Sequence, residues 1–138
     1  MTLPPRLQAL VLADHIYADA KTGKKVIAGT FNQVWAAAFP SQFGRTTYVF
    51  VSLTDLRGEA SVVLRYVDNS DLSVLMESAA VKVISQDPLA TTELGIAIPG
   101  FPMPHTGSYS LELHVDGERL GSVRVLALQR KDKQEDPQ

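Results

Sequence analysis

Tyr109-Ser110-Leu111-Glu112-Leu113-His114-Val115-Asp116-Gly117-Glu118 is the stretch that decides the fold. Apolar side chains at 109, 111, 113 and 115 alternate with Ser110, Glu112 and His114, the period of two of a half-buried strand. Val123, Val125 and Ala127 repeat the pattern against Ser122, Arg124 and Leu126. Between the two runs stands Asp116-Gly117, a pair that accepts the positive φ angles of a tight hairpin turn. The two strands therefore pair antiparallel.

Working outward, a second hairpin joins Thr47–Leu53 to Ala60–Val67 through the turn Asp55-Leu56-Arg57-Gly58-Glu59. Gly58 is the residue there that takes positive φ at no steric cost. Asp68-Asn69-Ser70-Asp71 is a further turn cluster, followed by strand-like Leu72–Met76 and Ala80–Ile84. Asp87-Pro88 breaks the chain, and Leu94, Ile96 and Ile98 form a strand that Pro99 stops. In the first third, Leu7–Ala13 reads as a strand that is apolar on both faces. Val26–Val34 is the next strand, with Gln33 interrupting its alternation, which marks a bulge or an edge. Trp35–Phe39 ends at Pro40 and suits a single helical turn. About eight short strands with turns every 8 to 12 residues predict an all-β fold, an antiparallel immunoglobulin-like or C2-like β-sandwich of about 7–9 strands. It is expected to occupy residues 1–128 as one domain, with 129–138 as a disordered charged tail.

Composition narrows the functions. In 138 residues, 45% are hydrophobic and 20% charged, which is the balance of a globular domain. A chain of this length buries roughly 68% of its unfolded surface, enough to fold without a metal or a disulfide. The absence of cysteine excludes a disulfide framework, a thiolate metal site and a cysteine nucleophile. A net charge of −2 provides no electrostatic case for nucleic acid or for an anionic membrane. No apolar run approaches the roughly 20 residues of a membrane span. A signal-peptide reading (Arg6, then Leu7–Ala13, then Ala18-Asp19-Ala20) is disfavoured by Pro4, Pro5 and the early Asp14. The expected compartment is the cytoplasm.

One block is familiar. Ala13-Asp14-His15-Ile16-Tyr17-Ala18-Asp19, Thr22-Gly23-Lys24-Lys25, Ile27-Ala28-Gly29-Thr30-Phe31, Trp35 and Phe39-Pro40 precede Gly107-Ser108-Tyr109 and Val115-Asp116-Gly117-Glu118. Together they resemble an uncharacterised bacterial family of small single-domain β-sandwich proteins, catalogued as a domain of unknown function. The resemblance spans nearly the whole chain. It implies the fold and a bacterial origin, and it carries over no functional residue.

Candidate chemistry is sparse. Asp14, Asp19, Asp55, Asp68 and Asp71 lie in or near turns. Gathered at one end of a sandwich they would supply oxygen ligands for calcium; otherwise they cap their own turns. His15, His105 and His114 show none of the local pairing of a zinc site. Thr22-Gly23-Lys24 lacks the strand–loop–helix frame of a phosphate loop and reads as a turn. No G-x-S-x-G elbow is present, and short loops leave little chain for a catalytic cleft. No catalytic residue, metal ligand or cofactor is assigned.

Pro99-Gly100-Phe101-Pro102-Met103-Pro104 stands apart, because three prolines remove three donors and bar it from a central strand. Phe101 and Met103 either plug the end of the core or offer an apolar contact. Trp35, Phe39 and Phe43 form a second such group, with Trp35 expected in the core. These five residues are the candidate interaction surface. The expected function is a non-catalytic protein-interaction or structural module that binds an unknown protein partner or itself. The alternatives are a calcium- or small-ligand-binding sandwich and, less favoured, a small hydrolase.

Overall fold

The computed structural model describes residues 3–130, which form twelve strands and no helix. In chain order they are β1 (Arg6–Ala18), β2 (Lys25–Thr30), β3 (Gln33–Ala36), β4 (Ser41–Phe43), β5 (Thr47–Thr54), β6 (Gly58–Asp68), β7 (Ser73–Glu77), β8 (Val81–Ser85), β9 (Thr92–Ile98), β10 (Phe101–Met103), β11 (Gly107–Val115) and β12 (Glu118–Gln129). One sheet has the order β2-β1-β5-β9. The other has the order β3-β12-β11-β6-β7, with β8 also on β6, and a small third sheet joins β10 to β4.

Both sequence-read hairpins form. Asp116 and Gly117 take φ of 50° and 83°, and β11 pairs with β12 from Val115↔Glu118 to Gly107↔Ala127. Gly58 takes φ of 75° at the turn between β5 and β6. Because alternate side chains face opposite ways, β6 and β11 turn Val62, Leu64, Tyr66, Tyr109, Leu111 and Leu113 inward, and all are buried. They meet Val49, Val51 and Leu53 of β5 and Ile96 and Ile98 of β9 in one core. β6 is long enough to carry two short edge strands end to end: β8 pairs with Gly58–Val62 and β7 with Arg65–Asp68. At the gap, Ser78 mimics a strand residue. Its N–H donates to Leu64 O at 2.9 Å, and its hydroxyl accepts from Leu64 N at 2.9 Å.

The first third departs from the sequence reading. Val26–Val34 is not one strand: the chain leaves β2 at Thr30 and enters the other sheet as β3. Phe31 N still bonds Leu12 O, while Asn32 O accepts from Leu126 N, so the switch takes two residues. That is why Gln33 breaks the alternation: the chain up to Phe31 belongs to one sheet, and from Asn32 on it bonds to the other. β3 runs parallel to β12, and the other strand pairs among the described residues are antiparallel. Strands so distant in sequence need no local crossover to run parallel. No helical turn forms at 35–39. Val34 and Ala36 take the core positions, at 0% and 7% exposure, which leaves Trp35 half-buried on the outer face beside Leu128 rather than in the core. β12 continues to Gln129, and Arg130 N bonds Ala36 O, so the domain extends past 128. The rest of the expected tail, 131–138, lies outside the described residues.

The proline-rich segment is a plug. Gly100 adopts φ of 154°, and a Cβ there would lie 2.5 Å from Phe43 O, so only glycine fits. This lets β10 lie against β4, where a two-stranded pairing tolerates Pro102. Phe101 and Met103 are then 0% and 2% exposed. Phe101 joins a column of rings: Phe43–Phe101 at 4.8 Å, Phe101–Tyr66 at 5.0 Å, Tyr66–Tyr109 at 5.3 Å and Tyr109–His105 at 5.5 Å between centroids.

Tyr109, near the start of β11, donates its hydroxyl to His105 O at 2.6 Å and accepts from His105 N at 3.1 Å. A tyrosine that binds the main chain a few residues upstream at this corner is a hallmark of immunoglobulin-like sandwiches. With two packed sheets and a final hairpin, it places this chain in that class. Tyr109→Phe strands both main-chain groups of His105 and is expected to cost about 1–2 kcal/mol. Thermal denaturation should show Tm lower by about 3–8 °C; an unchanged Tm would mean that the corner is not load-carrying.

Candidate functional site

The turn between β6 and β7 collects the most polar chemistry in the molecule. It begins at Asp68, the last residue of β6 and only 4% exposed. Asp68 Oδ1 accepts from the N–H and the hydroxyl of Ser70, at 2.9 and 2.7 Å. Its Oδ2 accepts from His105 Nε2 at 2.7 Å, and its carbonyl accepts from Leu72 N at 2.7 Å. Asn69 ties the turn to β11 through the hydroxyls of Ser108 and Ser110 and through Ser108 O. Asp71 caps Ser73 N and its hydroxyl. Asp68 and Asp71 thus each hold a backbone N–H two residues on, as aspartates in turns do, while the Asn69 side chain reaches across to two serines of β11.

The protonation states follow from the partners. His105 Nε2 faces a carboxylate, and Nδ1 lies 2.7 Å from Thr106 O. Both partners only accept, so this geometry favours the protonated ring, with hydrogen on both nitrogens. The Thr106 carbonyl, followed by Asp68, raises its pKa. Burial works to raise the Asp68 pKa, but Ser70 and His105 outweigh it and hold it below the usual value. Asp71 is held low by Ser73. Ser70 Oγ lies 3.4 Å from His105 Nε2, a longer contact than its 2.7 Å bond to Asp68 Oδ1 or the 2.7 Å between His105 Nε2 and Asp68 Oδ2, so both the hydroxyl and the imidazole are turned to the carboxylate rather than to each other.

What this bracing holds in place is Leu72. Its φ is 62°, a left-handed conformation that bulky residues rarely adopt, and it is 74% exposed. Val74, two residues on, is 51% exposed, and a rim of Asn69, Ser70, Asp71 and Ser73 surrounds the pair in sequence. Ile84, also exposed, is paired with Glu59, eight residues along β6 from the Val67–Val74 pair, or about 26 Å away.

The sequence-read candidates distribute differently. Phe101 and Met103 are buried and offer no contact surface, which corrects their candidacy. Phe39 and Phe43 are half-buried against the core, with the Arg45 guanidinium 5.3 Å from the Phe43 ring centre. Trp35 alone of the five stands on an outer sheet face. The aspartates do not converge. Asp14 pairs with Arg45 at 3.0 Å, and Asp19 caps Lys21 N and Thr22 N, which lower its pKa. Asp55 lies near Arg6 beyond the opposite end of β6 from Asp68. His15 is exposed on β1, and His114 lies on β11 against Glu112 at 3.0 Å. Among the described residues no three metal-binding side chains come together. Leu72 and Val74 were missed by sequence reading; the available signal was a leucine placed directly after four turn-forming residues.

The Asp68–His105 pair predicts a pH signature. A raised histidine pKa adds stability that is complete below its unfolded value of 6.5 and lost as pH rises through the folded value. A lowered aspartate pKa adds stability that is complete above its unfolded value of 3.8 and lost as pH falls through the folded value. The Tm difference between wild type and His105→Gln should thus be largest between those two values and shrink on either side. A difference that stays constant from pH 5 to pH 9 would sink the assignment of charge to His105.

Among the described residues no helix is long and apolar enough to cross a membrane. No curated protein matches the sequence. Among solved structures, the alkylpurine DNA glycosylase AlkC of Pseudomonas fluorescens, bound to DNA containing an abasic site analogue, aligns at 12% identity with a TM-score of 0.48. That alignment covers 86% of this chain but 30% of the glycosylase, so this chain spans under a third of that protein's length. An immunoglobulin-like protein from Pseudomonas aeruginosa aligns at 11% identity with a TM-score of 0.35, covering 91% of this chain and 98% of that one. The family resemblance read from residues 11–40 and the final hairpin is borne out: residues 8–127 match the model of the family of unknown function DUF6941, and the chain belongs to that family.

Proposed function

We propose that this chain is a non-catalytic protein-interaction module that docks through the β6–β7 turn, with Leu72 as the anchor and Val74 beside it. The observation that carries the reading is the conformation of Leu72. A left-handed leucine costs about 1–2 kcal/mol relative to the right-handed region. At 74% exposure it recovers little of that cost by packing. Folding alone is better served by asparagine or glycine at this position. Strain held at an exposed site is a reason to look for function there. A braced turn that presents one large apolar side chain within a polar rim has the anatomy of a contact anchor. The partner would offer an apolar pocket, with a donor or a cation beside it for Asp71.

Two observations weigh against the alternatives. The carboxylates of a calcium site do not gather, and in the Ser70–His105–Asp68 group the hydroxyl and the imidazole are turned to the carboxylate rather than to each other.

Leu72→Asn tests the reading in two ways. Asparagine tolerates the left-handed region, so the variant should be more stable by about 0.5–1 kcal/mol. It should also lose association. In sedimentation experiments the wild-type mass should rise with concentration, or the wild type should retain a host protein that Leu72→Asn does not. A wild type that stays monomeric at millimolar concentration and retains nothing that the variant loses would overturn the proposal.

A further inference from the structure

Where β1 runs beside β12, an open groove of about 420 Å³ lies on the surface, next to the Phe31–Asn32 crossing between the sheets. Leu10, Leu12, Phe31 and Val123 line it and are buried or half-buried, while Thr30 and Arg124 are exposed beside them. Arg124 makes no ion pair among the described residues, and no carboxylate lines the groove. Three other cavities of the surface do carry carboxylates. Glu59, Asp116 and Glu118 stand against one Arg57 in the cavity at the β11–β12 turn. Glu77 lines the one between β7 and β9, and Asp14, already paired with Arg45, lines the one beside Gly29.

The Leu72 turn has the complementary features. It presents one large apolar side chain, and the exposed carboxylate of Asp71 stands next to it in the chain. Both bonds that Asp71 accepts from Ser73 go to Oδ1, which leaves Oδ2 for a partner. An apolar side chain with an acid beside it suits an apolar groove with a cation at its rim, and a carboxylate in the groove would repel it. A single chain cannot join the two surfaces, because β11 and β6 separate β12 from β7.

We propose that the partner of the Leu72 turn is a second copy of this chain: Leu72 of one copy seats in the β1–β12 groove of the next, and Asp71 meets Arg124 there. This rests on the reading of Leu72 as an anchor and names what the anchor enters. Turn and groove are different surfaces, so the contact is heterologous, and each copy carries one of each.

Complementation between two variants of the full chain tests it. Leu72→Asn removes the anchor and keeps the groove. Thr30→Glu combined with Arg124→Glu keeps the anchor and sets two carboxylates at the groove; both positions are exposed, and thermal denaturation checks that the variant folds. In sedimentation experiments the wild-type mass is expected to rise with concentration, and each variant alone should keep the mass of one chain. An equimolar mixture of the two should form a pair and nothing larger, because one intact anchor meets one intact groove. A mixture that does not pair overturns the proposal. A groove variant that associates as wild type does, while Leu72→Asn does not, overturns the groove and leaves the anchor standing. A wild type that stays a single chain at millimolar concentration overturns the second copy as partner, and retention of a host protein then decides the anchor separately. If the double variant unfolds, Arg124→Gln takes its place: it should weaken association by up to about five-fold, and no weakening overturns the part given to Arg124.

Discussion

The column of rings from Phe43 through Phe101, Tyr66 and Tyr109 to His105 is the interaction on which the rest of the structure depends. Its four centroid spacings, from 4.8 to 5.5 Å, fall within the range where stacked and tilted ring pairs attract. Its members come from β4, β10, β6, β11 and the loop before β11, and the Phe101–Tyr66 contact links the small β4–β10 pair to the large sheet, which no ladder joins. Phe43 and Phe101 belong to the small β4–β10 sheet, Tyr66 and Tyr109 to the large one, and His105 to the loop before β11. Phe101, with Met103 beside it, holds the proline-rich segment over the core. Without Tyr109 the corner that positions His105 would lose its main-chain clamp. The column therefore couples the plug at one end of its length to the ion pair at the other.

That coupling explains how the β6–β7 turn can hold a strained residue. A left-handed leucine in a loose loop would relax, because the strain exceeds thermal energy at room temperature. Here the turn is pinned from three directions. Asp68 is fixed by Ser70 and His105, Asn69 is fixed to β11, and Leu72 N is fixed to Asp68 O. His105 is in turn stacked on Tyr109 at the end of the column. The conformation of Leu72 is over-determined by its surroundings, which is the condition under which backbone strain persists.

The hairpins were legible because their information is local. Alternation at 109–115 and 123–127 and an Asp-Gly pair between them specify faces, pairing and turn within twenty residues. Gly58 announced its turn in the same way. The switch of sheets at Phe31–Asn32 was half legible: Gln33 broke the pattern, but a break alone cannot say whether the strand bulges or leaves the sheet. Trp35 was misplaced for that reason, since its face is set by β12, which lies some 90 residues further on. The Asp68–His105 pair spans 37 residues, and its partners are brought together by the β6–β11 register rather than by any motif. The docking candidates were missed on a different ground. Phe101 and Met103 sit in an irregular, proline-rich segment and looked available, while Leu72 looked like the first residue of a strand. Hydrophobicity by itself does not separate a plug from an anchor; the conformation of the backbone does.

Leu72 and Tyr66 share a physical character, although they lie in different places. Each is a position where a simpler residue would suit the fold better: asparagine or glycine for the first, phenylalanine for the second. Neither deviation is repaid by a contact within the chain, since Leu72 is largely in solvent and the Tyr66 hydroxyl has no partner. Elsewhere local choices agree with the global fold: Gly100 where only glycine fits, Asp116-Gly117 where φ is positive, and Ser78 where the edge ladder is interrupted. Local inconsistencies of this kind are informative, because they are expected where a requirement other than folding acts. One of these inconsistencies faces outward in a braced turn, and the other is buried in the column of rings. For Leu72, the missing contact is the one that the proposed partner would supply.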